Sequence, residues 1–379
     1  MITTKYTAIA GAAVAAMVVA ACGGKDGDGP SAPTPVASLS APSLESPANG
    51  AQLDTLRPTL TIRNVAADQS GARTYEFQIS DNSSFTSTVT SHIAGFAATV
   101  GRTGVPEGAN GQTSFTPDSD LQPTTSFYWR ARAVQGTATG AWSATARFNS
   151  KLVGFMRAGE LYDPLIHGET VGELVGSTTF IPGRGLQLNN GTSYVKYLLP
   201  QTVSGGEFSM DVEGLAANGP GDKAKVFGMQ QGQGDFITND YRIDIQYRGV
   251  QGFPPNAIQW RVIYGDADDL DVRYEPDTAK RMASVFILSP STTYHWKFTW
   301  GSEVRLVLRE GGLMGSALYD FGLPAPNGRY TPNPHYAYLG APVGRSGNES
   351  ASIPGTVYRN VWLGNRPRPE SLGSALMVR

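Results

Sequence analysis

The chain has 379 residues, 30 Lys and Arg against 32 Asp and Glu, a formal net charge of −2, and a single cysteine. That length suits two domains with separate cores. One cysteine excludes an intrachain disulfide and a thiolate metal site, and the lack of a basic stripe argues against a nucleic-acid partner. With 45 Gly and 25 Pro to punctuate turns, and 37 aromatics (16 Tyr, 15 Phe, 6 Trp) to favour strands, the composition points to an all-β protein.

Residues 1–21 read as a targeting segment. Lys5 supplies a short positive region, and Thr7 to Val19 is mostly Ala, Val, Ile and Met, too short to span a bilayer comfortably. The run ends in Val19-Ala20-Ala21-Cys22, followed by Gly23-Gly24. This string resembles the lipobox of bacterial lipoproteins. The resemblance implies cleavage before Cys22 and acylation of that residue, which would hold the mature chain at the cell envelope. Gly23 in place of Asp leans toward the outer membrane. A plain secretory signal with a free thiol at Cys22 is the alternative. Residues 22–42 are mostly Gly, Pro, Ser, Ala and Thr, the composition of a flexible tether.

Residues 43–150 read as short strands between turns. Pro58 to Ile62, Thr74 to Ser80, Phe127 to Ala133 and a last strand near Phe148 carry the pattern. Ser46-Pro47-Ala48-Asn49-Gly50, Tyr75-Glu76-Phe77-Gln78-Ile79, Leu121-x-Pro123, Tyr128-Trp129-Arg130-Ala131-Arg132-Ala133 and Trp142-Ser143 resemble bacterial fibronectin type III domains. The resemblance implies a seven-strand sandwich serving as a spacer or an adhesion module. Phe127 stands where that family usually has a corner tyrosine, so the corner either lacks its hydroxyl or draws on Tyr128.

Residues 151–379 offer strands at Glu207 to Glu213, Tyr241 to Arg248, Ile258 to Tyr264, Tyr294 to Trp300, Val304 to Leu308, Ala337 to Leu339 and Val357 to Leu363. One or two helical turns are expected over Asp277 to Ala283. So many strands suggest two large antiparallel sheets, a jelly roll. Gly206 to Glu213, Thr293 to Leu308 with its turn at Gly311-Gly312, and the closing Tyr338-Leu339-Gly340 and Val361-Trp362-Leu363-Gly364 resemble the concanavalin A-like, laminin-G-type sandwiches. That resemblance implies a groove for sugars on one sheet.

Alternation gives each of these strands one apolar and one polar face. The polar faces supply candidate contacts for a polysaccharide: Asp211, Glu213, Arg242, Asp244, Gln246, Arg248, Arg261, His295 and Lys297. A glycosidase needs two carboxyls, one of them protonated. Asp211 and Glu213 lie two apart, but the position where related glucanases hold the nucleophile is Ser209. A polysaccharide lyase on the same groove needs a cation and a base, for which the arginines, Lys297 and His295 are candidates if their strands adjoin. Asp266, Asp268, Asp269 and Asp271 offer oxygen ligands for calcium. No strand-to-helix glycine motif accompanies the Gly-rich loops, which argues against a nucleotide. The aromatic stretch Tyr330 to Tyr338 suits either a stacking platform for sugar rings or a loop covering the core. The leading expectation is an anchored lipoprotein that binds extracellular or cell-wall polysaccharide. A lyase or hydrolase, and an adhesion protein with a protein partner, are the alternatives.

Overall fold

The computed structural model describes residues 39–66, 71–86, 99–201, 203–215, 224–231, 242–248, 257–263, 273–274, 288–324, 334–342 and 352–376. Cys22 with its signal segment, the acidic stretch Asp266 to Asp271 and the expected helical turns at 277–283 lie outside them. Among the described residues the regular elements are strands, apart from single 3-10 turns at Ala109–Gly111 and Ser374–Leu376. The protein is all-β.

The first nine strands are β1 (Ser43–Ser46), β2 (Ala51–Gln52), β3 (Leu60–Arg63), β4 (Thr74–Ser80) and β5 (Thr99–Pro106), then β6 (Gln112–Phe115), β7 (Ser126–Gln135), β8 (Ala138–Thr139) and β9 (Ala146–Asn149). They form a fibronectin type III-like sandwich. A β1-β3-β6 sheet packs on a sheet ordered β2-β9-β7-β4-β5, with β8 added to β7. Tyr75, Phe77 and Ile79 of β4 and Phe127, Trp129, Ala131 and Ala133 of β7 fill the space between. Leu39 also packs on this core, so the sandwich begins ahead of the expected tether boundary at 42.

The missing tyrosine is resolved by a serine. Phe127 is buried against Phe148 at 5.8 Å between ring centroids. The Ser150 hydroxyl closes the corner, donating to the Gln122 carbonyl at 2.8 Å and accepting the Thr125 N–H at 3.1 Å. On the solvent side, the Trp142 ring takes the guanidinium groups of Arg130 and Arg132, each 4.3 Å from its centroid. Ser143 accepts the Ala131 N–H at 3.0 Å. The Trp-Ser pair thus fastens an irregular segment to β7.

The second sandwich opens with β10 (Phe155–Arg157), β11 (Glu160–Asp163), β12 (Glu173–Val175), β13 (Thr178–Ile181), β14 (Gly185–Leu188) and β15 (Tyr194–Leu198). It continues with β16 (Gly206–Glu213), β17 (Lys225–Gln230), β18 (Arg242–Arg248), β19 (Ala257–Ile263) and β20 (Arg273–Tyr274). It closes with β21 (Tyr294–Trp300), β22 (Glu303–Glu310), β23 (Ser316–Pro324), β24 (Tyr336–Leu339) and β25 (Val357–Gly364). One sheet of nine strands runs β10-β11-β25-β16-β21-β22-β23, with β14 on β25 and β13 on β14; the other, of seven, runs β12-β15-β24-β17-β18-β19-β20. One core joins them: Phe208, Met210, Trp296 and Phe298 from the first meet Phe227, Met229, Ile245, Trp260 and Leu339 from the second.

The C-terminal segment returns to the first sandwich. Ser374 Oγ accepts the Ser126 N–H at 2.9 Å, Gln122 Nε2 donates to Ser371 Oγ at 3.2 Å, and the Ala375 N–H reaches the Thr124 carbonyl at 3.4 Å. Thr124 Oγ1 in turn donates to the Val153 carbonyl at 3.1 Å. The two sandwiches are therefore joined at two points of the chain.

At the end of β11 a buried carboxylate meets the inter-sheet core. Asp163 Oδ2 accepts from the hydroxyls of Thr170 (2.5 Å) and Tyr197 (3.1 Å) and from the Val171 N–H (3.2 Å). Burial pushes its pKa up to about 6, against the pull of those hydrogen bonds. Between about pH 4 and pH 6 the folded state then binds more protons than the unfolded one, so this group makes stability fall as pH rises through that window. Asp163→Asn keeps an acceptor oxygen and removes the titration. Its melting temperature is expected to respond less to pH between 4 and 6, with a gain of about 1–3 kcal/mol over the wild type at pH 7. Parallel pH profiles for the two proteins would contradict this.

Candidate functional site

The nine candidate residues do not form one groove. Asp211, Glu213, His295 and Lys297 belong to β16 and β21 of the nine-stranded sheet. Arg242, Asp244, Gln246, Arg248 and Arg261 belong to β18 and β19 of the seven-stranded sheet. Each pair of strands adjoins internally, but the core lies between the two pairs. The sequence pattern shows which residues of a strand share a side, not which strands share a sheet.

On the nine-stranded sheet, the outward groups are already paired with each other. β25 carries a bulge opposite β16, between the partners of Ser209 and Asp211. At the bulge Asn360 takes a left-handed backbone, φ 61°, which Asn adopts more readily than most residues. Its Nδ2 donates to Asp211 Oδ2 at 3.0 Å, and His295 Nδ1, directly across β16, bonds Asp211 Oδ1 at 2.8 Å. Asn360 Oδ1 accepts from Tyr162 at 3.0 Å and from Arg368 Nη2 at 2.5 Å, and the same Nη2 reaches the Leu372 carbonyl at 2.7 Å. Burial works hardest to raise the Asp211 pKa. The hydrogen bond and charge of His295, the Asn360 amide and the Arg368 charge together outweigh it and hold the carboxyl below its ordinary value. Asp211 is thus an ionised group inside a closed network.

Its neighbours are similarly engaged. Glu207 pairs with Lys297 at 3.2 Å and accepts the Ser209 hydroxyl at 2.6 Å. Glu213 faces Arg184 and Arg359, Glu160 holds Arg157 and Arg366, and Arg305 holds Asp320. Tyr162, Trp362 and Leu372 make a small apolar cluster on this face under the C-terminal segment. A cleft of about 310 Å³ remains beside Asp211, walled by Arg359, Asn360 and the turn Gly311 to Met314. His295 Nε2 is buried without a hydrogen-bond partner. The other ring nitrogen, Nδ1, is engaged by Asp211.

The seven-stranded sheet presents a different face. Alternation in β24 sends Ala337 and Leu339 into the core and Tyr336 and Tyr338 to the other side, with ring centroids 6.4 Å apart and planes at 15°. Tyr194 of β15 meets Tyr338 edge-on at 6.1 Å, and Gln230 Nε2 of β17 donates to the Tyr338 hydroxyl at 3.2 Å. Lys225 Nζ bonds Gln246 Oε1, and Lys196 pairs with Glu173 at 2.8 Å. Arg242, Asp244 and Arg248 occupy the register positions of β18 that alternate with the core residue Ile245. Asp244 stands opposite Arg261 of β19. Tyr336 is half-buried, while Tyr338, Gln230 and Lys225 are buried.

Tyr194, Lys196, Lys225 and Gln230 were not legible as site residues. The run KVFGMQ is wholly buried and does not alternate in hydrophobicity. YVKYL does not alternate either, since Leu198 is apolar on the outward side, and Lys196 was the one polar signal. Among the described residues no cluster of three or more His, Cys, Asp and Glu side chains is arranged to hold a metal.

No family model matches the sequence, and no curated protein matches it. Solved structures similar to the chain include the FN1–FN3 domains of chicken CNTN1, at 10% identity and a TM-score of 0.20, covering 76% of this chain and 68% of that one. At that TM-score the likeness bears on no ligand or activity.

The network around Asp211 yields a stability prediction. Asp211→Ala leaves His295 Nδ1 and Asn360 Nδ2 buried without their acceptor, and leaving a buried polar group unsatisfied costs about 1–3 kcal/mol. Thermal unfolding is expected to show that loss, while ligand affinity of the folded fraction stays at the wild-type value. An unchanged melting temperature would contradict the structural role.

Proposed function

We propose that this protein is an envelope lipoprotein that binds polysaccharide on the outer face of the seven-stranded sheet. The observation that carries the reading is Tyr336, half-buried on the side of β24 away from the core, with its ring stacked beside that of Tyr338. Pyranose rings bury their C–H faces on aromatic π faces, and amides, guanidinium groups and carboxylates hydrogen-bond the hydroxyls around them. The register positions of Arg242, Asp244, Arg248 and Arg261 lie on the same side of the sheet and are the proposed source of the polar groups. The strand resemblance to concanavalin A-like sandwiches agrees with a sugar ligand. The lipobox-like Val19-Ala20-Ala21-Cys22 supplies the anchor, and the fibronectin-like sandwich serves as the spacer. The acidic stretch Asp266 to Asp271 follows β19 in sequence, so calcium is a proposed accessory to binding.

Hydrolysis at Asp211 and Glu213 is disfavoured. A glycosidase holds one carboxyl protonated, whereas Asp211 is held below its ordinary pKa value, and Ser209 stands where a nucleophile would be.

The test uses the mature chain as a soluble Cys22→Ser variant on a polysaccharide array, with and without calcium. Saturable binding to one polysaccharide class is expected, and Tyr336→Ala is expected to weaken it roughly tenfold, about 1.4 kcal/mol. In cells, Cys22→Ser is expected to abolish labelling by a radioactive fatty acid. No binding to any polysaccharide would overturn the reading, and turnover of a bound polymer would replace it with the enzyme alternative.

A further inference from the structure

Tyr336 has an apolar neighbour that solvent reaches. β15 pairs with β24 so that Leu198 stands directly across from Tyr336 and Lys196 across from Tyr338. The Leu199 N–H donates to the His335 carbonyl at 2.8 Å, which makes those two residues a hydrogen-bonded pair. Such pairs alternate with non-hydrogen-bonded ones, so Leu198 and Tyr336 form one of the latter, with Cα atoms about 4.5 Å apart and side chains close. Val195 and Tyr197 of β15 fill the core, which sends Leu198 outward beside Tyr336. Leu198 is 56% exposed, more than any other leucine among the described residues. Around it Lys196 is held by Glu173 at 2.8 Å, while Tyr194, Tyr338 and Gln230 are buried. Solvent therefore meets this part of the face at Leu198 and Tyr336, beside that ion pair.

A single exposed leucine is ordinary on a protein surface. One set directly beside a stacking ring continues that ring's apolar surface. A sugar laid on Tyr336 extends over Leu198, whose side chain neither donates nor accepts a hydrogen bond. A hydroxyl placed there loses water and gains no partner. A methyl group placed there gains roughly fourfold in affinity from its burial. Sugars carry methyl groups in two common forms, the acetamido group and the 6-deoxy carbon.

Building on the polysaccharide reading above, we infer that Leu198 sets specificity: the ligand's sugars bear a methyl group, as an N-acetyl or a 6-deoxy substituent, which packs on Leu198 while the ring lies on Tyr336. Two matched pairs test this with the soluble mature chain. Chitohexaose and cellohexaose share a backbone and differ by the acetamido group; a D-rhamnan and a D-mannan of the same linkage differ by the 6-hydroxyl. In at least one pair the methyl-bearing member is expected to bind about fourfold or more tighter than its partner. Leu198→Ser is expected to remove that advantage by weakening the methyl-bearing member alone, with the melting temperature unchanged because the side chain is exposed. Tyr336→Ala is expected to weaken both members of the pair alike. Equal binding within both pairs, or array binding confined to polymers free of methyl groups, would overturn the inference and leave the polysaccharide reading standing. An advantage that survives Leu198→Ser would also overturn it. Failure to bind any polymer would overturn both.

Discussion

Between the two large sheets, Phe227 of β17 packs edge-on against Phe208 of β16 at 5.2 Å and against Trp296 of β21 at 6.1 Å, and Trp260 of β19 meets Phe298 at 5.8 Å. This aromatic layer is the constraint on which the rest depends. Once every strand gives its apolar side to a shared core, its polar side belongs to one of two opposite surfaces. A single groove drawing on both sheets is then excluded by packing, whatever the chemistry of its residues. With no disulfide available to the lone cysteine, such burial must supply the stability.

The two surfaces then take different roles. The outer face of the nine-stranded sheet is where the C-terminal segment lies down, and its charges serve that docking. Arg368 reaches Asn360, Asn360 reaches Asp211, and a few residues further on Ser371 and Ser374 bond the Leu121–Ser126 corner of the first sandwich. Buried polar groups of this kind demand partners, and Asp211, Asn360 and Arg368 are linked through Asn360. The first sandwich is thus held beside the second as well as preceding it.

The fold was legible in the sequence wherever hydrophobicity alternated cleanly. β4 and β21 match their expected spans, Thr74–Ser80 and Tyr294–Trp300, residue for residue. β17 escaped because all six of its residues are buried, polar Lys225 and Gln230 included. β23, with Gly322 and Pro324 near its end, escaped because it is an edge strand. The candidate site was legible only in part. Face assignment within β16, β18 and β21 follows from period two, but the partition of those strands between sheets depends on long-range pairing that one sequence does not encode locally. Asp211 looked like a groove residue because its strand neighbours are polar. Its actual partners are His295, directly across on β21, and Asn360, 149 residues downstream on a bulge. Tyr336 and Tyr338 were visible as an aromatic stretch, and only strand pairing separates a platform from a cover.

The central claim is that the seven-stranded sheet meets ligand and the nine-stranded sheet does not. Amide hydrogen exchange of the soluble mature chain, with and without saturating bound polysaccharide, addresses it most directly. The account predicts added protection in Lys225–Gln230 and Tyr336–Leu339 and none in Gly206–Glu213 or Tyr294–Trp300. Protection centred on β16 and β21, with β17 and β24 unchanged, would contradict it.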